Sequence, residues 1–441
     1  MSNFLKEQKR TMIHRSYILV FLLSLVSLTV MGQTQAQFLE EADKAYDAEN
    51  YAAALEYYST ALEFDEDDID IMYMVAQSAR QYDAYTIADS LYKKVVENED
   101  DGQYPEATFW RGIVLQRQGE YQKSNELLNL YLSEHSGEDE FLSKRAQKEI
   151  SANGWALDMM KTRTDDPVID RLSTNVNTPY SEFGAYLLND TLFYSSLRFE
   201  NEADDYIPKR PISKILISVD SAEGEVIEQP NMEELHTAHT TFSIDRDRIY
   251  YTVCKYITGN RIRCDIYYRE IDSAGIFGEP VKLPSAVNSD STTSTEPTIG
   301  RHPVSGNEAL YFVSDREGGK GMRDIWMSEV QEDGQFGSPV NISDINTSLD
   351  DLTPHYDLNT NTLYFSSEGY LGFGGLDVYS ARPQDDGSWS KPVNMDYPIN
   401  SSYHDVYFFM LEDGERGYLS SNRPGSFFLE EDKKACCFDI Y

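Results

Sequence analysis

Cysteine is scarce in this sequence, with 4 among 441 residues; that is too few for a fold built on disulfides, and the C-x-x-C spacing of a metal knuckle is missing. Basic side chains are outnumbered: Lys and Arg total 38 against 75 Asp and Glu, a formal charge of −37. Such a surface repels phosphate backbones and anionic headgroups, so nucleic acid is excluded as a partner. Long apolar runs are lacking apart from Tyr17–Met31, 15 residues, short of the roughly 20 that cross a bilayer as a helix. No G-x-S-x-G elbow, H-E-x-x-H pair or G-x-x-x-x-G-K-[ST] loop occurs. Those absences set the expectation of a protein that is not an enzyme and has no cofactor and no resident metal.

What is present begins with an address. Lys6, Lys9, Arg10 and Arg15 precede the apolar run, and the small or polar stretch Gly32–Gln37 follows it. Residues 1–36 read as a secretory signal peptide cleaved after Gly32 or Ala36, with an uncleaved anchor as the alternative. No cysteine lies near the cleavage region, so a lipoprotein anchor is not expected. The mature chain is expected in the periplasm or associated with the outer membrane, without a further transmembrane span.

Between residues 37 and 161 the apolar pattern is helical and repeats. Tyr51, Ala54, Tyr58 and Ala61 recur 34 residues later as Tyr85, Ala88, Tyr92 and Val95, and a third copy runs through Gly112, Leu115, Tyr121, Ser124, Leu128 and Tyr131. Small residues at such a period let two helices approach while aromatics fill the gap between successive pairs. The pattern resembles the tetratricopeptide (TPR) repeat, although Glu66 and Asn98 stand where its closing proline is usual. A last helix over about 139–161, carrying Leu142, Ala146, Ile150 and Trp155, is expected to cap the stack. The acidic run Asp65–Asp70 lacks the central glycine of a calcium loop and reads as a solvated connector.

From 162 to 441 short alternating runs replace the helical period. Five of them, Leu192–Ser196, Ile249–Val253, Leu310–Ser314, Leu363–Ser367 and Gly417–Ser421, recur every 53 to 61 residues. Four are followed by an Asp-aliphatic-aromatic run, beginning at Asp265, Asp324, Asp377 and Asp439, and three intervals lead into a Pro-Val strand after Pro280, Pro339 and Pro392. Each unit thus supplies four short strands, which is one propeller blade. The last unit has three, and Pro167–Leu172 has the form of the missing outer strand. The fold class expected is multidomain, α then β: a TPR-type α-solenoid followed by a five-bladed β-propeller closed by that segment.

The clearest copy, with Glu296-Pro297, Leu310–Arg316, Gly318–Gly321 and Asp324–Trp326, resembles the WD40-like repeats called PD40, related to those of TolB-type proteins. With the helical repeats, the order is similar to the front half of a family of Bacteroidota envelope proteins, some of which belong to gliding or type IX secretion assemblies. Members commonly continue into a carboxypeptidase-regulatory-like and an OmpA-like domain. The latter grips peptidoglycan and has no counterpart in this sequence, so peptidoglycan binding is not carried over.

Glu182, His239, Glu296 and Asp405 each fall near the start of a blade's first strand and are candidates for a polar ring around the central channel; hydrogen bonding between strand ends is the competing reading. His236-x-x-His239 has metal-like spacing, but two histidines do not close a site, and they read as surface or turn residues. Cys254 and Cys264 stand at the facing ends of two runs and are expected to be bridged. Adjacent Cys436 and Cys437 point to opposite faces of a strand and are expected not to bridge each other. Gly318–Gly321 reads as a hairpin turn rather than a phosphate cradle.

The function expected is that of a non-catalytic scaffold for envelope proteins or peptides. Basic segments would be steered to the helical part, where residues 37–166 hold 29 acidic against 12 basic side chains. The alternative is a carbohydrate-binding or carbohydrate-active propeller, which a deep channel mouth with two unpaired carboxylates beside aromatics would favour.

Overall fold

The computed structural model describes residues 34–98, 102–162, 167–206, 209–331, 334–430 and 433–441; the residues read as a secretory signal lie outside these up to Gln33. Seven helices are found among the described residues: α1 (Gln35–Asp47), α2 (Tyr51–Leu62), α3 (Ile69–Gln81), α4 (Tyr85–Asn98), α5 (Pro105–Arg117), α6 (Tyr121–His135) and α7 (Glu140–Met159). Short polar side chains start four of them. Thr34 and Gln37 exchange side-chain and backbone hydrogen bonds in a capping box, and Asn50, Asp68 and Asp139 each accept from the backbone N–H three residues on. Asp68, from the acidic connector, is thus a helix cap. The recurring small and aromatic residues form the core, with Ala54, Tyr58, Ala61, Ala88, Tyr92 and Val95 buried in one cluster. At Gly112 of α5 a Cβ would stand 2.9 Å from Leu128 of α6, so that approach requires glycine.

The propeller has five sheets of sequential antiparallel strands, four strands in blades 1–4 and three in blade 5. The inner strands are Glu182–Leu188, His236–Phe242, Ser294–Arg301, Asp351–Asp357 and Asp405–Met410. The five aromatic runs of the sequence are the second strands, and their Tyr194, Tyr250, Tyr311 and Phe365 are buried.

One asparagine per blade fastens the edge. The side chains of Asn231, Asn288, Asn346, Asn400 and Asn177 each accept from and donate to the backbone of one third-strand residue, namely Ile215, Ile266, Ile325, Val378 and Ile440, at 2.7–2.9 Å. For blade 5 the asparagine comes from the start of the domain and the isoleucine from residue 440, so this clamp closes the ring. Leu172 N also donates to Ile440 O at 2.9 Å, the bond that Leu283, Ile342 and Met395 make in blades 2–4. The 167–172 segment is not a strand along its length; it holds blade 5 through that bond, through Arg171, which pairs with Asp439 at 3.4 Å and lies over the Phe427 ring, and through the packing of Ile169 and Leu172.

The helical region docks on the propeller face where the inner strands begin. Asn260 N donates to Ala48 O at 2.9 Å, and Arg261 pairs with Glu49 at 2.8 Å. Asn422 donates to Asp83 at 3.1 Å, and Ser402 to Arg117 O at 2.9 Å. Trp155 of α7 meets Phe373 edge-on at 5.0 Å. Beside it Glu368 of blade 4 is gripped by Arg145 at 3.2 Å, Arg117 at 3.6 Å and, through its carbonyl, Lys148 at 2.6 Å.

Candidate functional site in the propeller channel

Each inner strand slips register early, and one residue at each slip adopts a left-handed backbone: Gly184 (φ 66°), His239 (60°), Glu296 (54°), Thr353 (51°) and Tyr407 (52°). A bulge re-aims the side chain, here into the channel. Left-handed non-glycine residues cost on the order of 1–3 kcal/mol each and cluster where function holds them. Tyr407 Oη lies 2.9 Å from His239 Nε2 and 3.2 Å from Glu296 Oε1, while Thr353 N donates to Glu296 Oε2 at 2.7 Å. Burial pushes the Glu296 carboxyl up and the His239 imidazole down to about 3. The space around this ring is about 40 Å³, room for a few waters.

Two residues further along each strand stands a second ring, Tyr186, Thr241, Thr298, His355 and Phe409, which lines both that space and the channel mouth. Its aromatic members sit on the adjacent blades 4, 5 and 1, with His355–Phe409 and Phe409–Tyr186 centroids 4.5 and 5.0 Å apart. Its hydroxyl members sit on blades 2 and 3. Thr241 Oγ1 accepts from Ile299 N at 3.4 Å and Thr298 Oγ1 from Tyr356 N at 3.1 Å, which leaves each O–H to donate. Burial lowers the His355 pKa to about 4, so its ring is neutral and offers one donor and one acceptor.

The mouth beyond this ring encloses about 590 Å³ and faces away from the helices. Hairpins that follow the inner strands wall it. Arg246 of blade 2 reaches Asn189 of blade 1 at 3.4 Å and Glu412 of blade 5 at 3.5 Å. Arg416 pairs with Asp413 at 2.8 Å, and Asp357 accepts from Asn359 N at 2.9 Å and from Thr360 Oγ1 at 2.5 Å. The mouth is deep and aromatic, but its carboxylates are partnered rather than free.

Of the four candidate ring residues, the structure brings together His239 and Glu296 and sets Glu182 and Asp405 apart. The latter two stand at the first residue of their strands and anchor the preceding turn: Glu182 accepts from Thr178 N and Oγ1 at 2.7 and 2.9 Å, and Asp405 from Ser401 N and Oγ at 2.6 and 2.8 Å. Position near the start of a strand does not separate the turn-anchoring first residue from the bulged residue that faces the channel. Gly184, Thr353, Tyr407 and the whole second ring escaped the sequence reading. The signal for them was the spacing, since each second-ring residue lies four or five places after the carboxylate or its equivalent.

His236 is buried rather than at the surface, and its Nδ1 accepts from Ser213 N at 3.1 Å; His239 is half-buried on the channel wall, where it faces Tyr407. No cluster of three His, Cys, Asp or Glu able to hold a metal occurs among the described residues. Cys254 and Cys264, paired across a hairpin with Cα atoms 4.0 Å apart, are bridged. Cys436 and Cys437 are also bridged, contrary to expectation; they lie ahead of the last strand, Asp439–Ile440, so the alternation of an extended strand does not apply to them. In Gly318–Gly321 the Lys320 and Gly321 N–H groups cap the Asp324 carboxylate, a turn serving its own strand.

No family model and no curated protein matches this sequence. Among solved structures the chain is similar to an endo-arabinase from Bacteroides thetaiotaomicron, at 12% identity and TM-score 0.37, covering 62% of this chain and 96% of that one. It is similar as well to an α-L-arabinofuranosidase from Lactobacillus brevis, at 11% identity and TM-score 0.37, over 62% and 92%. A third is Trypanosoma rangeli sialidase bound to the inhibitor DANA, at 12% identity and TM-score 0.31, over 55% and 44%.

These findings correct two expectations, the non-catalytic protein scaffold and the absence of enzymatic activity. The solved structures matched carry the names of carbohydrate-cleaving enzymes, and glycoside cleavage commonly uses a pair of carboxyls and none of the serine, zinc or P-loop signatures whose absence had argued against catalysis. At such identities and scores the likeness concerns the fold alone and says nothing of substrate.

Proposed function

We propose that the channel mouth is a carbohydrate site. The observation that carries this is the division of the second ring. A sugar presents an apolar C–H face bordered by hydroxyls; the face stacks on the arc His355–Phe409–Tyr186, and the hydroxyls meet Thr241, Thr298 and the neutral His355. The mouth volume falls within the roughly 300–1,000 Å³ usual for small-ligand sites. Below the floor Glu296 is the one carboxyl of the first ring, and its oxygens are taken by Thr353 N and Tyr407 Oη; glycoside cleavage needs a second carboxyl beside the sugar, so binding is the activity this geometry supports. The test is calorimetry against neutral and charged oligosaccharides, with reducing-end release measured in parallel. His355→Ala should weaken binding about tenfold through lost stacking and a lost polar contact, and Glu296→Gln, below the floor, should leave binding within about twofold of the parent. Absence of binding to every class of oligosaccharide would refute the reading.

We read the seven helices as three TPR-type pairs capped by α7, and the chain as an exported envelope protein of the TPR–PD40 type found in Bacteroidota. The 34-residue period and the five recurring runs support this. Fractionation of the native host, with N-terminal sequencing of the protein recovered, tests it; a cytoplasmic protein retaining residue 20 would overturn it.

A further inference from the structure

We infer that the glycan taken at the channel mouth is uncharged. This rests on the carbohydrate reading above and adds the charge class of the ligand. Recognition of a uronate, sulfate or sialate needs a cation whose charge is not already spent. Both arginines of the mouth already have acidic neighbours at its exposed rim: Arg246 lies between Glu412 and Asn189, and Arg416 is held by Asp413, so an incoming anion meets arginines whose charge is offset locally. The second ring contains no lysine or arginine, and its one histidine is packed between Phe409 and Tyr364, which takes the ring out of water and leaves its charged form unsolvated. Three rim carboxylates, Asp357, Glu412 and Asp413, face two arginines, and the chain as a whole carries −37. A polyanion would therefore approach against the field and would have to break an ion pair on arrival.

A cationic sugar fares no better at contact, because each of those carboxylates already accepts a hydrogen bond or pairs with an arginine. What remains unspent is an aromatic arc, two hydroxyl donors and a neutral imidazole. Those groups suit the C–H faces and hydroxyls of a neutral glycan.

The full chain is titrated in a calorimeter with neutral gluco-, galacto- and arabino-oligosaccharides, with oligogalacturonate, and with chitosan oligosaccharide, at low and high salt. The expected result is that at least one neutral series binds about tenfold or more tighter than either charged probe, with an affinity that salt leaves unchanged. Tighter binding of oligogalacturonate or chitosan oligosaccharide, weakening with salt, would overturn the inference and leave the carbohydrate reading standing. If no probe binds, the carbohydrate reading falls and the inference with it. A double variant, Glu412→Gln with Asp413→Asn, releases both arginines and should gain oligogalacturonate affinity about fivefold or more over the parent. Equal affinity in parent and variant would show that the arginines were never spent, and would likewise overturn it.

Discussion

Replacing Glu368 with glutamine should loosen the helical region from the propeller. Its carboxylate is about one-fifth exposed and faces Arg117, which is 5% exposed, and Arg145, 15% exposed. Burial alone would raise its pKa, but Arg145, Arg117, His404 and Lys148 outweigh that and hold it at about 2, against an ordinary value of 4.5. That gap corresponds to about 3 kcal/mol of coupling between charge and docking. The folded-state pKa is depressed, so the contribution is fully present above about 4.5 and fades as pH falls towards 2. In urea at neutral pH the variant should therefore lose its helical packing about 1–2 M before the parent, taking m in the usual range for small regions. Tryptophan fluorescence reads this directly, because Trp155 packs on Phe373 in the same junction. The difference between variant and parent should narrow at about pH 3. An unchanged midpoint at neutral pH, or a penalty that persists undiminished in acid, would refute the reasoning.

Asn177→Ala removes two hydrogen bonds to Ile440 and one to Leu172 O and should cost about 2–4 kcal/mol, seen as early proteolysis of the C-terminal strand; resistance equal to the parent's would count against closure by this clamp. Serine at both Cys254 and Cys264 should lower stability by about 2 kcal/mol, the low end for disulfides, since the bridge joins strands already paired; mass analysis of unreduced parent protein checks that the bridge forms. Gly300→Ala would drive a Cβ into the Tyr356 ring, which stacks on Tyr311 at 5.3 Å, and should destabilise by about 1–3 kcal/mol in thermal melts. Because the pKa values of His355 and His239 are lowered to about 4 and 3, glycan affinity should stay flat from about pH 8 to 5; a step near 6.5 would mean that one of these histidines is solvated.

Much of this architecture was legible in the residues. The period of 34 from Tyr51 to Tyr85 marks the paired helices, and the aromatic runs ending in Ser196, Ser314, Ser367 and Ser421 mark second strands. What escaped has physical causes. Asn288, Asn346 and Asn400 each read as an ordinary turn asparagine, and only their shared neighbourhood, an aliphatic residue before and Ser or Thr after, separates them from the rest. Glu182 and Asp405 were placed in the channel because they fall near the start of a first strand, but the channel-facing residue stands two places on, at the bulge. The grip of Arg145 on Glu368 joins residues 223 apart in sequence, beyond the reach of any local pattern.

The clamp between Asn177 and Ile440 also sets an order of events. Its partners are 263 residues apart, against 22 for Asn288 and Ile266. Bringing such distant ends together costs about 2 kcal/mol more in chain entropy than closing the internal clamp. On the ribosome the helices and the first four blades emerge while residue 440 is still unmade, so blade 5 is the last to form. Until then its second strand offers an unpaired edge to any neighbouring chain. The residues around Ile440 decide whether the ring seals or is left open to pairing with another copy, so chaperone capture during synthesis should depend on their arrival far more than on the hundreds before them.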